Sequence, residues 1–343
     1  MFFHDPFGRS DAESLYNYGQ DTQQESNYMY FFDQEPIHLD LHMSTFDDVV
    51  RRNLDICWPH QTPGSIVTSE QHSEFVESIC NTYGWRSHYY FFHGWASLDW
   101  FRGYDRTFLM PDPKDRKITK SFISANRIVG GKRDHRIILM YKLFKKKINN
   151  AHISFPGICP AEGTHITSLV HKWHDQYPDM PETFAAQNLP WNFQGETDHP
   201  MHSCWLSLFD QCAETCAYVV TETVQQGNRH HLTEKTFKPI CLQMPFVLAS
   251  TQGSLDYLKS YGFRTFNHVW DESYDHESDD HRRIEMIAHI LKSLDDCSPA
   301  ELHSIYRHTY ETVVWNYQHF YGGDFERLLW KELQHMMQDM KQT

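Results

Sequence analysis

Apolar and polar positions along this chain switch between two periods, and each switch marks an element. Short apolar runs rich in β-formers lie at residues 28–32, 65–68, 89–92, 118–124, 217–221 and 245–249, and each predicts a strand. Between them the apolar residues recur at helical spacing. Phe75, Val76 and Ile79 line one side of 70–83, and Ile137, Ile138, Met140, Tyr141 and Phe144 line one side of 134–147. Thr233 is a plausible N-cap for a helix containing 235–242, and 254–261 is a short helix ended by Gly262. Residues 282–294 and 299–338 read as largely helical, whereas 103–117 is dense in turn residues and reads as a linker.

Strand and helix alternate twice around that linker, which predicts an α/β fold with two doubly wound, Rossmann-like domains. The expected boundaries are 1–110, 111–300, and a set of C-terminal helices at 301–343 that packs back across the domains. Ligands of such sheets bind beyond the carboxyl ends of the strands, so a cleft between the two is the expected site.

Composition narrows the class. With 343 residues, 40% hydrophobic and 15% aromatic, the chain can bury a large core, which excludes a mainly disordered protein. No window approaches eighteen apolar residues, so no membrane span is expected. The opening MFFHDPFGRSDAES lacks the basic end and apolar run of a signal peptide, so a soluble, cytoplasmic protein is expected. The eight cysteines show no C-x-x-C spacing. Cys212 and Cys216 fall one helical turn apart, with His202 nearby, but no second ordered pair completes a four-ligand site, and no metal is expected. His230, His231 and the acidic run 271–281 read as solvated loops. The net charge of −14 hides one local exception. Residues 114–147 hold twelve Lys or Arg against Asp115 and Asp134, a net +10, so the rest of the chain carries −24. One basic stretch in an acidic protein points to a local anion site.

Several motifs are absent: G-x-G-x-x-G after a strand, G-x-S-x-G, and a complete P-loop around Gly130-Gly131-Lys132. The most informative stretch is 217–266. There a strand ends in Glu222, a polar loop follows, and a helix starts at Thr233-Glu234-Lys235. A helix N-terminus offers N–H groups and a positive dipole end to a phosphate. Lys235 adds a full charge, and Glu234 can accept from vicinal hydroxyls such as those of a ribose. Lysine opposes the dipole at that end of a helix, a conflict that a ligand phosphate would remove.

Residues 233–239, with the Pro-Phe-Val-Leu strand that follows, resemble the donor-binding motif of the α-1,3-fucosyltransferase-like glycosyltransferases. They are more similar still to related bacteriophage glycosyltransferase-like proteins, in which a Glu-Lys-Thr-(aromatic)-Lys-Pro run leads into Gly-Ser-Leu…Leu…Gly-Phe. Phe122-Ile123-Ser124-Ala125-Asn126-Arg127, followed by His135-Arg136 and an apolar helix, resembles that family's strand, Ser-x-Asn and arginine-led helix. Asp33-Gln34-Glu35-Pro36 resembles a feature of the phage proteins. The resemblance covers about 118–290 well and the first hundred residues poorly. It implies a GT-B architecture: an N-terminal acceptor-side domain and a C-terminal domain that binds a nucleotide-sugar, UDP- or GDP-linked, with no obligatory metal or other cofactor. Carried over, Glu234 would hold the ribose and Lys235 with Arg136 the diphosphate. Glu222 would lie near the donor, and Asn126, Arg127 and Thr233 would complete its site. Fixed cations beside the leaving diphosphate act where negative charge develops. The acceptor hydroxyl needs a general base from the facing domain, and Asp33 and Glu35 are the candidates, ahead of Glu70 and Asp99.

Two acceptors follow from this. One is the hydroxyl of a 5-hydroxymethylpyrimidine such as hydroxymethylcytosine in phage DNA, modified against host nucleases, with the basic stretch meeting phosphates. The alternative is a carbohydrate, as in lipopolysaccharide or capsule synthesis. A sugar-nucleotide-binding protein without catalysis is a third reading. Oligomeric state is not encoded in any pattern.

Overall fold

A computed structural model describes residues 2–3, 29–33, 64–104, 110–193 and 205–341. Within them the chain forms two four-stranded sheets, both wholly parallel, with helices between the strands. They divide into two compact units. One holds the described residues up to Trp95, together with Asn228–His231 and residues 327–341; the other holds Ala96–Gly227 and Leu232–Glu326.

In the first unit, β1 (Phe2–Phe3), β2 (Met29–Asp33), β3 (Gly64–Thr68) and β4 (Arg86–Tyr89) pair in that order. All five positions of β3 are buried, as expected of a strand covered on both faces. Gly64 cannot carry a side chain, because a Cβ would lie 2.6 Å from the Trp85 indole. Helix α1 (Glu74–Tyr83) begins four residues later than its apolar spacing predicts. Ser73 caps it, accepting from the Val76 N–H, and Glu70 instead joins the turn after β3, where its N–H donates to Thr68 Oγ1. The strand expected at 89–92 is also displaced. β4 takes the polar residues before it, and Phe92 opens helix α2 (Phe92–Phe101). Tyr90 packs with Val67 and Met336, and Phe92, Leu333 and Met340 close around them. The four described strands follow chain order, so the reversal that defines a doubly wound sheet is not found among them.

The second unit has that reversal. Its strands are β5 (Lys120–Ala125), β6 (His152–Ser154), β9 (Thr215–Thr221) and β10 (Phe246–Ala249), ordered β10-β9-β5-β6. A short hairpin of β7 (Ile158–Cys159) and β8 (Thr164–His165) lies in the long connection from β6. Helix α3 (Asp134–Lys145) carries the chain from β5 outward to β6. Helices α4 (Ile166–Val170), α5 (Met180–Ala185) and α6 (Phe209–Ala213) then lead to β9, on the other side of β5. Helix α7 (Glu234–Cys241) runs on to β10. Right-handed crossovers that leave in opposite directions put α3 and α7 on opposite faces. Helix α8 (Ser254–Ser260) follows β10, and α9 (Asp280–Asp295) packs on α3, β5 and β10. Helix α10 (Pro299–His308) packs on β9, and α11 (Tyr310–Tyr321) on α7. Helix α12 (Asp324–Lys341) ends the described chain. The apolar face of α7 enters an aromatic cluster in which Phe237 meets Phe320 at 5.5 Å and Phe325 at 5.4 Å.

The segment 103–117 is not simply a linker. Arg116 is fully buried, donating to the carbonyls of Pro111, Leu242 and Gln243 and to Tyr306 Oη at 2.9–3.0 Å. A turn-rich composition hides that anchor, because three of its four acceptors are backbone.

Candidate functional site

The strand order turns back between β5 and β9, and the loops after these two strands carry most of the residues singled out from the sequence. In open parallel sheets this is the point where the loops diverge and leave a crevice. Asn126 directly follows β5 and is buried. Its Nδ2 donates to Ser124 Oγ at 2.9 Å, its Oδ1 accepts from Thr221 Oγ1 at 3.0 Å, and its N–H donates to the Ser154 carbonyl at 3.2 Å. The carboxamide, which donates from one atom and accepts at another, ties the ends of β5 and β9 together, and the Asn126 backbone N–H adds β6. Arg127, next along, is half-buried.

Glu222 follows β9 and is fully buried. One carboxylate oxygen accepts from the Thr233 N–H at 2.9 Å and Thr236 Oγ1 at 2.6 Å. The other accepts from Thr233 Oγ1 at 2.7 Å and the Thr223 N–H at 3.1 Å. The buried acid thus grips the N-terminus of α7, where the dipole favours an anion. Its role is to position the helix, and the resemblance alone did not reveal this. Thr223 and Thr236, missed from the sequence, are the partners that make it possible. Their signal is a hydroxyl directly after the acid and another in the first helical turn.

Thr233 is the N-cap, as expected, accepting from the Lys235 N–H. The Lys235 side chain is 30% exposed, and its Nζ donates to Glu234 Oε1 at 2.8 Å and to Thr233 Oγ1 and Thr223 Oγ1 at 3.2 Å. The cation therefore sits at the rim of the α7 N-terminus, and Glu234, 5% exposed, lies beside it. Lysine at this end is offset by Glu222 and Glu234.

Arg136 has a different setting from the one the resemblance implies. It is buried, with NH1 donating to the Ile128 carbonyl at 2.6 Å and NH2 to the carbonyls of Thr221 and Glu222 at 2.7 and 3.2 Å. Only Nε lacks a hydrogen-bond partner. Burial and then Arg133 push its pKa down to about 9, against the pull of Glu222 and Glu234. A fork bound to three carbonyls braces the crevice and adds positive field behind it. His135 is buried too and titrates well below the usual range, mainly through burial and then Arg136, so the neutral ring hydrogen-bonds the Glu222 carbonyl at 2.9 Å.

Asp33 closes β2 opposite Thr68 in the first unit, and Glu35 lies outside the described residues. Glu70 is buried and pairs with Arg229 at 3.0 Å, while Asp99 makes a loose, exposed pair with Arg102. The loop between Glu222 and Thr233 is long because residues 228–231 belong to the first unit, where the His230 and Gln71 backbones exchange two hydrogen bonds.

Five of the twelve cations of the basic stretch are spoken for. Lys142 and Lys146 bind Glu285, Lys145 binds Asp179, and Arg116 and Arg136 are buried. Cys212 and Cys216 are buried thiols, each pushed up to about 12 by burial. Among the described residues no three His, Cys, Asp or Glu side chains are grouped closely enough to hold a metal ion. The acidic run serves as turns and caps: Asp271 accepts from Ser273, Asp275 from the Leu255 N–H, and Asp279 caps α9.

A cavity of about 1070 Å³ opens beside the crevice, lined by Asn126, Arg127, Ser154 and residues from 155–193. No helix among the described residues is long and apolar enough to cross a membrane. Comparison of the chain with protein families, curated proteins and solved structures finds no match.

Proposed function

We propose that this chain is a nucleotide-sugar-dependent glycosyltransferase of the GT-B type, moving a sugar from a nucleoside diphosphate to an acceptor hydroxyl. The observation that carries the proposal is the grouping of Asn126, Glu222, Thr233, Glu234 and Lys235 where the strand order of the second unit reverses. A diphosphate suits this place. The helix dipole and Lys235 face it, and Arg136 contributes field from behind its carbonyls. As the sugar–phosphate bond breaks, charge grows on the leaving phosphate, and Lys235 stabilises it there. Loss of one such contact costs about 3 kcal/mol, roughly a hundredfold in rate. Glu234 is the partner for ribose hydroxyls, and the acceptor's base comes from the N-terminal half, with Asp33 and Glu35 still the candidates.

The ion pairs of Lys142, Lys145 and Lys146 weaken the electrostatic argument for a DNA acceptor, so a carbohydrate hydroxyl is the reading favoured here. Hydroxymethylcytosine in DNA is the alternative.

Thermal unfolding with UDP, GDP, CDP and ADP, beside a Lys235→Ala control, tests the donor site. A nucleotide at a hundred times its dissociation constant adds about 2.7 kcal/mol. One nucleotide should protect the wild type and not the variant. Protection by none of the four removes the proposal's foundation. The matching nucleotide-sugar, incubated with oligosaccharides or with hydroxymethylcytosine DNA, then separates the acceptors by added mass.

A further inference from the structure

The cavity beside the reversal point has a chemistry that neither Lys235 nor Glu234 uses. Its walls include four aromatic side chains: Phe155 and Phe184 are fully buried, and Trp191 and Phe193 are half-buried. Backbone pairing holds it open. The Phe155 N–H donates to the Trp191 carbonyl at 2.8 Å and the Trp191 N–H to the Phe155 carbonyl at 2.9 Å, joining segments far apart in sequence. Asn192 adds a carboxamide to the lining, and Arg127 sits where the cavity meets the end of β5. Walls that mix aromatic side chains with amides and hydroxyls suit a planar heteroaromatic ring, which stacks on its faces and hydrogen-bonds at its edge. The Arg127 cation in the lining suits a phosphate carried on the sugar of such a base.

The position agrees with this chemistry. Asn126 both lines the cavity and accepts from Thr221, one residue before the acid that holds α7. Neighbouring parallel strands lie about 4.8 Å apart, so the loops after β6, β5 and β9 spread over roughly 10 Å. We propose that the cavity receives the nucleobase of a nucleotide whose phosphates run past Arg127 toward Lys235. This inference rests on the nucleotide-binding role proposed above. The base is then recognised by residues of the long β6-to-β9 connection, and donor choice resides in 155–193 rather than in the α7 motif.

Isothermal titration of the full chain with UDP, GDP, CDP, ADP and inorganic pyrophosphate tests this, with Trp191→Leu, Asn192→Ala and Lys235→Ala as variants. Base stacking predicts that Trp191→Leu weakens the nucleotide that binds by roughly tenfold to a hundredfold and leaves pyrophosphate unchanged. Lys235→Ala should weaken both ligands. Asn192 is exposed, so its alanine variant keeps the test open if Trp191→Leu does not fold, and it should weaken the nucleotide alone. Full nucleotide affinity in the cavity variants, with loss in Lys235→Ala, overturns the inference and leaves the donor reading standing. If the wild type binds neither nucleotide nor pyrophosphate, both fall.

Discussion

The grip of Glu222 on helix α7 makes a prediction that separates a positioning residue from a ligand contact. Replacing it by glutamine keeps the volume but exchanges one oxygen for an NH₂ group. Each oxygen now accepts from one backbone N–H and one hydroxyl. The hydroxyl can rotate to accept from the new amide, but a backbone N–H, of Thr233 or Thr223, cannot. One buried donor is left unsatisfied at a cost of about 1–3 kcal/mol. The helix N-terminus also loses its anion, worth up to about 1 kcal/mol, while removal of a buried charge returns part of that sum. The net expectation for Glu222→Gln is a loss of about 2 kcal/mol. At 2–4 °C per kcal/mol for a unit of this size, the melting temperature should fall by roughly 4–8 °C without any ligand present. Differential scanning calorimetry reads this directly, and amide exchange should quicken at Thr233 and Thr236. A variant that melts with the wild type but fails to bind nucleotide would refute the reasoning and return Glu222 to the donor.

Other consequences can be checked independently. Burial raises Asp275 to about 6, above its usual 3.8, so the folded state holds that proton longer than the unfolded chain. Stability should therefore fall as pH rises from about 4 to 6, by at most about 3 kcal/mol, and Asp275→Asn should abolish that slope in urea titrations. Arg116→Ala strands buried carbonyls of Leu242 and Gln243 and should lose roughly 3–5 kcal/mol, with Arg116→Lys recovering only part; equal melting points for all three proteins would contradict this. Alkylation at pH 8, mapped by peptide mass, should leave Cys212 and Cys216 unmodified until denaturant is added, because burial holds both thiols protonated.

The strands and the α7 cap were legible in the chain because both rest on local signals: β-branched runs buried on two faces, and a threonine before a helical turn. The shift at residues 86–92 has the opposite origin. A continuous aromatic run fits a strand and a buried helix equally well, and here the more polar Arg86–Tyr89 segment took the sheet edge. Arg136 was readable as important but not for its task, since its acceptors at Ile128, Thr221 and Glu222 are main-chain carbonyls that no residue type announces. The cavity was hidden for a related reason. The pairing of Phe155 with Trp191 spans a proline- and glycine-rich stretch with no period of its own.

The division of the chain bears on how the protein is made. The first unit takes Met336 into its core beside Val67 and Tyr90, and the Phe91 N–H donates to Glu332. It also takes in Asn228–His231. A ribosome adds about 5–20 residues per second, and N-terminal domains ordinarily fold first. Here residues 64–95 wait for residues 327–341, which are made only after the whole of the intervening stretch 96–227. An expression product cut near residue 95, or one lacking helix α12, leaves the sheet of the first unit with part of its packing missing. Dissection of this protein therefore calls for point substitutions rather than truncations.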